Sequence, residues 1–469
     1  MDEADGDHFD VIVIGGGPGG YAAALYGASA GLRIALVERD KVGGTCLHRG
    51  CIPAKELLES ASVYRTVRHA AEFGVHVGEP SIDWSATIDR KQRVVDQMFT
   101  GLGSLLKGRK VEVVPGSGVL EADGRVTVET DAGSRTLAGD AVILATGSVP
   151  RVIPGFEPDA RLVFSSDELL DLRELPGSAA VIGGGAIGCE FASTLADMGA
   201  SVTILEGLPK ILPGCDEEIA KVVTTSFKKR GLTIRTGVRV TGHQPQDGGG
   251  TAVQIEGSDP LFVDMVVVSV GRRPVTDGVL GDGCKVAVSP RGFFEVDAHG
   301  RTGVPGVWAV GDCIDTPQLA HVAFMEGMNA IRDILGEDPP PIDAGRVPWA
   351  IYCQPEVAFA GYTEAAAKEA GFDVVTAKHR FIGNGRAVII GSTDGMVKVI
   401  AERRPDGTAG RVLGVHLAGP WVTEQLGQGY LAVNWEATVD EIAALIQPHP
   451  TMSELFGETV LSLTGRSLH

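Results

Sequence analysis

VIVIGGGPGGYAAALYGASAGLRIALVE, residues 11–38, reads as one complete folding unit. An apolar run suited to a buried strand meets glycines in G-x-G-x-x-G spacing (Gly15, Gly17, Gly20). A helix of small residues then leads to Gly31, and a second apolar strand closes on Glu38. Gly15 suits the tight turn, and Gly17 lets the backbone approach a pyrophosphate. The helix N-terminus brings its unpaired N–H groups to the same place. Glu38 stands where an acid accepts hydrogen bonds from a ribose. An ordinary βαβ turn can share this grammar, so one copy is weak.

A second copy changes the weight. AVIGGGAIGCEFASTLADMGASVTILE (180–206) repeats the pattern, with Gly183, Gly185, Gly188, Gly199 and Glu206 at the same spacing. Glu206 repels a 2′-phosphate and no arginine follows in EGLPKILPG, so NAD is expected over NADP, with Lys210 the one counter-signal. Two dinucleotide units in one chain suggest two cofactors that exchange electrons. Where the first helix has Ala22, the second has Glu190. The commoner fate of such a Glu is to face solvent. Buried, it needs a cation, for which Lys55 is the candidate.

Each unit is followed by a β-meander, VEVVPGSGVLEADGRVTVETDAGSRTL and RTGVRVTGHQPQDGGGTAVQIEGSDPLFV. A returning strand ends each excursion, AVILATGSVP (141–150) and MVVVSVGRRP (265–274), and a third such strand is GVWAVGDC (306–313). The prolines of GEDPPPIDAGRVP (336–348) mark a boundary. Beyond it, strands such as GMVKVIAE alternate with amphipathic helices such as TEQLGQGYLAVNW, and no glycine turn recurs. The fold class is α/β: two Rossmann-like dinucleotide-binding domains plus a C-terminal α+β domain.

Bulk properties agree. A chain of 469 residues exceeds one hydrophobic core, so roughly three domains are expected. With 44% hydrophobic residues, disorder is not expected. A net charge of −19 argues against a nucleic-acid partner. The acidic N-terminus MDEADGDHFD lacks the features of a secretory or transit segment, and no apolar run reaches membrane-spanning length. Seven scattered cysteines with one close pair suit a reducing cytoplasm.

That pair lies in GGTCLHRGCIPAKELLES (43–60). Cys46 and Cys51 are not half of a zinc site, because no second Cys or His pair with ligand spacing occurs, and no metal is expected. Gly43, Gly44 and Gly50 suggest a close-approach loop rather than core, and a redox pair fits best. Cys51 just precedes Pro53, which places its sulfur near a helix N-terminus. Lys55 falls one turn further on the same face. Near the C-terminus, PHPTMSE (448–454) holds His449 between two prolines that favour an extended backbone. An imidazole is the natural base for a thiol, and Glu454 can orient it. The bland alternative is a capping box, Thr451-x-x-Glu454.

GGGPGG, GGTCLHRGCIPAK, GGGAIGCE…TILE, AVGDC, QLAHVAFMEG and HPTMSE, in this order over essentially the whole chain, resemble the flavoprotein pyridine nucleotide-disulfide oxidoreductases, and within them the dihydrolipoamide dehydrogenases. Glutathione and trypanothione reductases usually carry arginines in the second nucleotide unit. Mercuric reductase usually adds a vicinal cysteine pair near its C-terminus, and mycothione reductase departs from H-P-T-x-S-E.

The resemblance implies an FAD domain (1–152), an NAD domain (153–275), a central segment returning to the FAD domain (276–346) and a dimerisation domain (347–469). Cys51 would be the charge-transfer thiolate against the isoalloxazine and Cys46 the interchange thiol. His449, held by Glu454, would act across a homodimer interface, and Lys55 would lie near flavin N5, paired with Glu190. FAD would be held by Gly15, Gly17, Pro18, Gly19, Glu38, Gly44, Thr45, Lys55, Gly118, Thr146, Gly147, Asp312 and Ala320. NAD would be held by Gly183, Gly185, Ile187, Gly188, Glu206, Val238 and Gly271.

The implied activity is oxidation of dihydrolipoyl groups on acyltransferase subunits of 2-oxoacid dehydrogenase complexes or in the glycine cleavage system. Reduction of another small disulfide or of quinones is the alternative, and a redox sensor that docks a partner is a third reading. The chain departs from the family at His48, where Asn is common, and at Gln447-Pro448, where His-Ala is common. By the resemblance, both positions would border the substrate channel.

Overall fold

The computed structural model describes residues 8–468. The acidic run at the N-terminus lies outside them up to residue 7. The chain forms two compact units. One comprises the segments ending at Glu56, Ser85–Arg151 and Gly271–Ala344; the other comprises Leu57–Trp84, Val152–Val270 and the chain from Gly345 on.

The first unit is built on parallel strands Glu112–Pro115, Ile34–Glu38, His8–Ile14, Gly133–Leu144 and Val307–Ala309. Alternation explains the central strand. Val11 and Val13 enter the core on one face of the sheet, and Ile12 and Ile14 enter the core on the other. A strand covered on both sides reads as a continuous apolar run. Each such side chain contributes about 1.5–3 kcal/mol by leaving water.

The long strand Gly133–Leu144 serves two partners. Its first half pairs antiparallel with Val126–Thr130 in the expected meander, and its second half pairs with His8–Ile14 and Val307–Ala309. Helices Pro18–Ser29 and Ala320–Ile334 cross so closely that a Cβ on Gly327 would stand 2.2 Å from the Gly19 carbonyl oxygen.

In the second unit, parallel strands Thr233–Thr236, Ser201–Glu206, Ser178–Ile182, Met265–Val268 and Val163–Phe164 repeat the design. The meander Val240–Pro245, Thr251–Ile255, Leu261–Val263 follows it, as expected. Past the proline boundary, strands Trp349–Ile351, Glu356–Gly361, Ala409–Gly419, Met396–Arg403 and Val374–Arg380 form an antiparallel sheet. Helices Val422–Asn434, Val439–Ala443 and Glu454–Ser462 pack on it around Val399, Leu417, Leu426 and Phe456.

One cation is buried in this unit. Lys398 Nζ lies 3.0 Å from Asp216, 3.0 Å from Glu218 and 2.8 Å from Glu364. Among the described residues no helix is long and apolar enough to cross a membrane.

Candidate redox site and nucleotide cradles

The two glycine turns are near copies in space as well as in sequence. Gly15 and Gly183 have φ of +108° and +105°, which only glycine adopts without strain. A Cβ on either would collide with the carbonyl of Ala145 or Ser269, each just past the end of the neighbouring strand. Gly20 and Gly188 must be small because a Cβ would lie 1.8 and 2.0 Å from the carbonyl oxygens of Gly15 and Gly183.

Gly17 and Gly185 are the N-caps of helices Pro18–Ser29 and Ala186–Asp197, and a Cβ on either would meet nothing within 4 Å. Open space therefore lies at the N-terminus of each helix, the turn that contains Pro18 and Gly19 in the first copy and Ile187 in the second. That is the environment a pyrophosphate requires, so both cradles fit a dinucleotide.

The two acids do more than the sequence suggested. Glu38 accepts from Gly16 N at 2.6 Å and Asp40 N at 2.8 Å; Glu206 accepts from Gly184 N at 2.6 Å and Leu208 N at 2.7 Å. Each carboxylate thus braces its own turn and retains lone pairs for a ribose. Burial raises the Glu38 carboxyl above its ordinary value, with the Gly16 N–H and the Arg39 charge opposing. Val238 donates its N–H to the Glu206 carbonyl at 3.1 Å, which places it beside that acid. Lys210 reaches the Cys215 carbonyl at 2.9 Å, so the counter-signal for NADP is a lysine already engaged within its own loop.

The cysteine loop is tied to the first turn. Gly43 N donates to Gly16 O at 2.7 Å, and a Cβ on Gly44 would come within 2.7 Å of Gly17 Cα. Cys46 and Thr45 lie on the short helix Gly44–Arg49, and Cys51 begins the helix Cys51–Arg68, as its position before Pro53 indicated. The sulfurs are present as two thiols. A hydrogen bond to Cys51 raises the Cys46 pKa far above its ordinary value; burial adds to this, while the Lys55 charge opposes it.

That contact favours the thiol form of Cys46, while the Cys51 sulfur sits at the helix N-terminus, where negative charge is favoured. Tyr21 was not singled out from the sequence. Burial first, then Cys46 and Cys51, raise its hydroxyl to about 12.

In the second unit, His449 Nδ1 is 2.9 Å from Glu454 Oε2. The His449–Pro450 peptide is cis. The capping box forms only by half: Glu454 N donates to Thr451 Oγ1 at 3.2 Å, but the Glu454 carboxylate serves His449 and Asn384 Nδ2 (3.2 Å) instead of the cap. Glu190 is buried on the helix Ala186–Asp197 and accepts from Tyr352 N at 2.9 Å.

The remaining predicted residues of the first unit gather where its strands end. Asp312 lies in the turn Gly311–Cys313, next to Ser148. Ala320 opens its helix, and Thr146 Oγ1 donates to Val275 O at 2.5 Å. Gly147 and Gly271 take φ of +72° and +105° where two chain crossings pass side by side. A Cβ on Gly118 would stand 3.1 Å from the Ile14 and Val37 side chains, a tight fit. Among the described residues no group of three His, Cys, Asp or Glu side chains could hold a metal ion.

Residues 9–327 match the pyridine nucleotide-disulphide oxidoreductase family, and residues 347–460 match the dimerisation domain of the same family. The chain belongs to this family. Its members include a dihydrolipoyl dehydrogenase of Bacillus subtilis, 40% identical over 98% of this chain and 99% of the relative. One of Zymomonas mobilis is 40% identical over 99% of both chains. Among solved structures, LpdA of Mycobacterium tuberculosis superposes with a TM-score of 0.91 at 26% identity, covering 97% of this chain and 99% of LpdA. The flavoprotein disulfide reductase RclA of Escherichia coli gives 0.87 at 27% identity, covering 97% and 99%.

Proposed function

We propose that the chain is an NAD-dependent dihydrolipoamide dehydrogenase, a flavoprotein that oxidises protein-bound dihydrolipoyl groups with FAD and NAD as its cofactors. The observation that carries this reading is the Cys46–Cys51 pair. The two sulfurs flank the start of a helix, in a loop fastened to a dinucleotide cradle, within a chain that matches dihydrolipoyl dehydrogenases over nearly its full length. Another small disulfide or a quinone as substrate is not favoured, because the relatives at this identity are dihydrolipoyl dehydrogenases.

When bound, FAD supplies a two-electron acceptor and NAD the terminal one. The chain's own residues handle sulfur and protons. His449 bonds Glu454 through Nδ1, which leaves Nε2 as the base toward a substrate thiol. The resulting thiolate attacks Cys46 of the oxidised pair, and Cys51 leaves as a thiolate favoured by its helix terminus and by Lys55. The second substrate thiol then displaces Cys46 and its proton passes to the departing Cys46 sulfur, while His449 keeps the first proton until it is released to solvent. One disulfide is consumed and one is made.

The domain division at residues 152, 275 and 346 belongs to this proposal. So do the homodimer that brings His449 to the cysteines of a second copy, the pairing of Lys55 with Glu190, the cytoplasmic setting, and the acyltransferase partners that carry the lipoyl group. Stopped-flow reduction of the purified flavoprotein by dihydrolipoamide tests it. A long-wavelength thiolate–flavin band should appear, and turnover should favour lipoamide over glutathione or mycothiol-type disulfides and NAD over NADP. Absence of the band, together with undiminished turnover in Cys51→Ser, would overturn it.

A further inference from the structure

Arg272 takes no part in the chemistry above, yet its guanidinium joins three segments of the first unit. It begins the strand Arg272–Pro274, which pairs antiparallel with Ser148–Pro150. Its Nε donates to Ser148 Oγ at 2.7 Å, and its Nη2 donates to Ser148 O at 2.8 Å and to Thr45 Oγ1 at 3.4 Å. Ser148 Oγ in turn donates to Asp312 Oδ2 at 2.5 Å, and Arg272 Nε itself lies 3.9 Å from that oxygen. The Arg272 and Asp312 side chains are 12% and 23% exposed.

A hydroxyl has one proton to give. With two guanidinium donors on its own oxygens, Ser148 directs that proton to Asp312 alone. The carboxylate is therefore held by one oxygen and countered by a cation, and its other oxygen stays available. The contact to Thr45 extends the same control to the helix that carries Cys46.

We infer that Arg272 is a positioning residue for the flavin site: through Ser148 it fixes the orientation of Asp312, and through Thr45 it steadies the redox helix. This rests on the reading of Asp312 as a residue that holds FAD. Only Arg supplies the two-pronged grip, because a lysine ammonium is a point charge without the planar fork. The arrangement also places a permanent positive charge within the first unit close to the proposed ring site.

The test compares holoenzyme variants by FAD dissociation, read from the fluorescence of released flavin, and by the midpoint potential of the bound flavin. Arg272→Met and Ser148→Ala should each weaken FAD binding at least ~10-fold, a loss expected when a charge-assisted hydrogen bond is removed. The double variant should be no weaker than the worse single one, because the two residues act as one unit. Arg272→Met should also lower the midpoint potential, and Arg272→Lys should restore the potential more fully than the binding.

Ser148→Ala removes one oxygen and keeps the result readable should Arg272→Met fold poorly. If both variants bind FAD within twofold of the parent at an unmoved potential while Asp312→Ala loses the flavin, the inference about Arg272 is overturned and the flavin reading stands. If Asp312→Ala binds FAD like the parent, the role of Asp312 fails and the inference about Arg272 with it.

Discussion

His449 Nδ1 and Glu454 Oε2 lie 2.9 Å apart, the imidazole exposed and the carboxylate buried. Helix Glu454–Ser462 and Asn384 fix the acid, and the acid fixes the ring. His449→Gln should lower dihydrolipoamide turnover by roughly 10²–10⁴-fold, the usual contribution of a positioned general base. Glu454→Gln, which only orients, should cost less, about 10–100-fold. Reduction of ferricyanide by NADH, which needs no thiol base, should survive both changes. Equal losses in the two assays would contradict this division of roles.

Cys46 titrates above its ordinary range first because it is hydrogen-bonded to Cys51 and only then because it is buried. In the reduced protein its alkylation rate should therefore stay flat through the pH range near ~8.5 in which a free thiol ionises. Cys51→Ala removes the dominant cause and should shift the rise in rate to lower pH. Mass spectrometry of the carbamidomethylated peptide measures it, and an unchanged profile would count against the hydrogen bond.

Glu206→Ala leaves Gly184 N and Leu208 N without their acceptor. With the turn unbraced and the acceptor for a ribose gone, the KM for NAD should rise about 10-fold or more. NADP should gain modestly from the lost repulsion yet stay well behind NAD, because Lys210 remains on the Cys215 carbonyl and supplies no phosphate contact. Parallel kinetics with both nucleotides decide this. Efficient NADP use by the variant would show that Glu206 alone had excluded it.

Lys398 is 2% exposed among three carboxylates. Burial acts to raise Asp216, but the ammonium brings it below the ordinary range; Lys378 lowers Glu218 first and Lys368 lowers Glu364 first, each with Lys398 next among the attractive contacts. Depressed carboxylates add stability above their unfolded values near ~4, and that stability is lost as pH falls through the lower folded values. His416, lowered by burial, adds a loss as pH falls below ~6.5, since only the unfolded chain takes up the proton there. Lys398→Met should therefore destabilise the protein by about 3 kcal/mol at neutral pH, and the gap to the parent should close toward pH ~3.5. Urea unfolding at the two pH values checks it; a gap of equal size at both would refute the electrostatic account.

The fold was legible where chemistry is local. Val11 to Ile14 announce a strand by continuous apolarity, and Gly15, Gly17 and Gly20 announce a turn by spacing that few other structures require. Cys46, Cys51, His449 and Glu454 could be singled out because each pair is close in sequence. Arg272 with Ser148, Asn384 with Glu454, and Tyr352 with Glu190 could not, because these partners lie many residues apart and meet only after the sheets form. Tyr21 was hidden differently: on a helix of small residues it reads as core packing, and only the fold sets it beside the thiols. The capping box was legible as a motif and half wrong as a structure, since a nearer imidazole competes for the same carboxylate.

Gly44 rests against Gly17 with no room for a methyl group between them. The sulfur loop cannot move toward the first glycine turn unless that turn moves with it. On the proposed placing of FAD at this turn, thiol accessibility should follow nucleotide occupancy: stripping the flavin should unlock the sulfurs to bulky reagents before the sheet beneath them loosens.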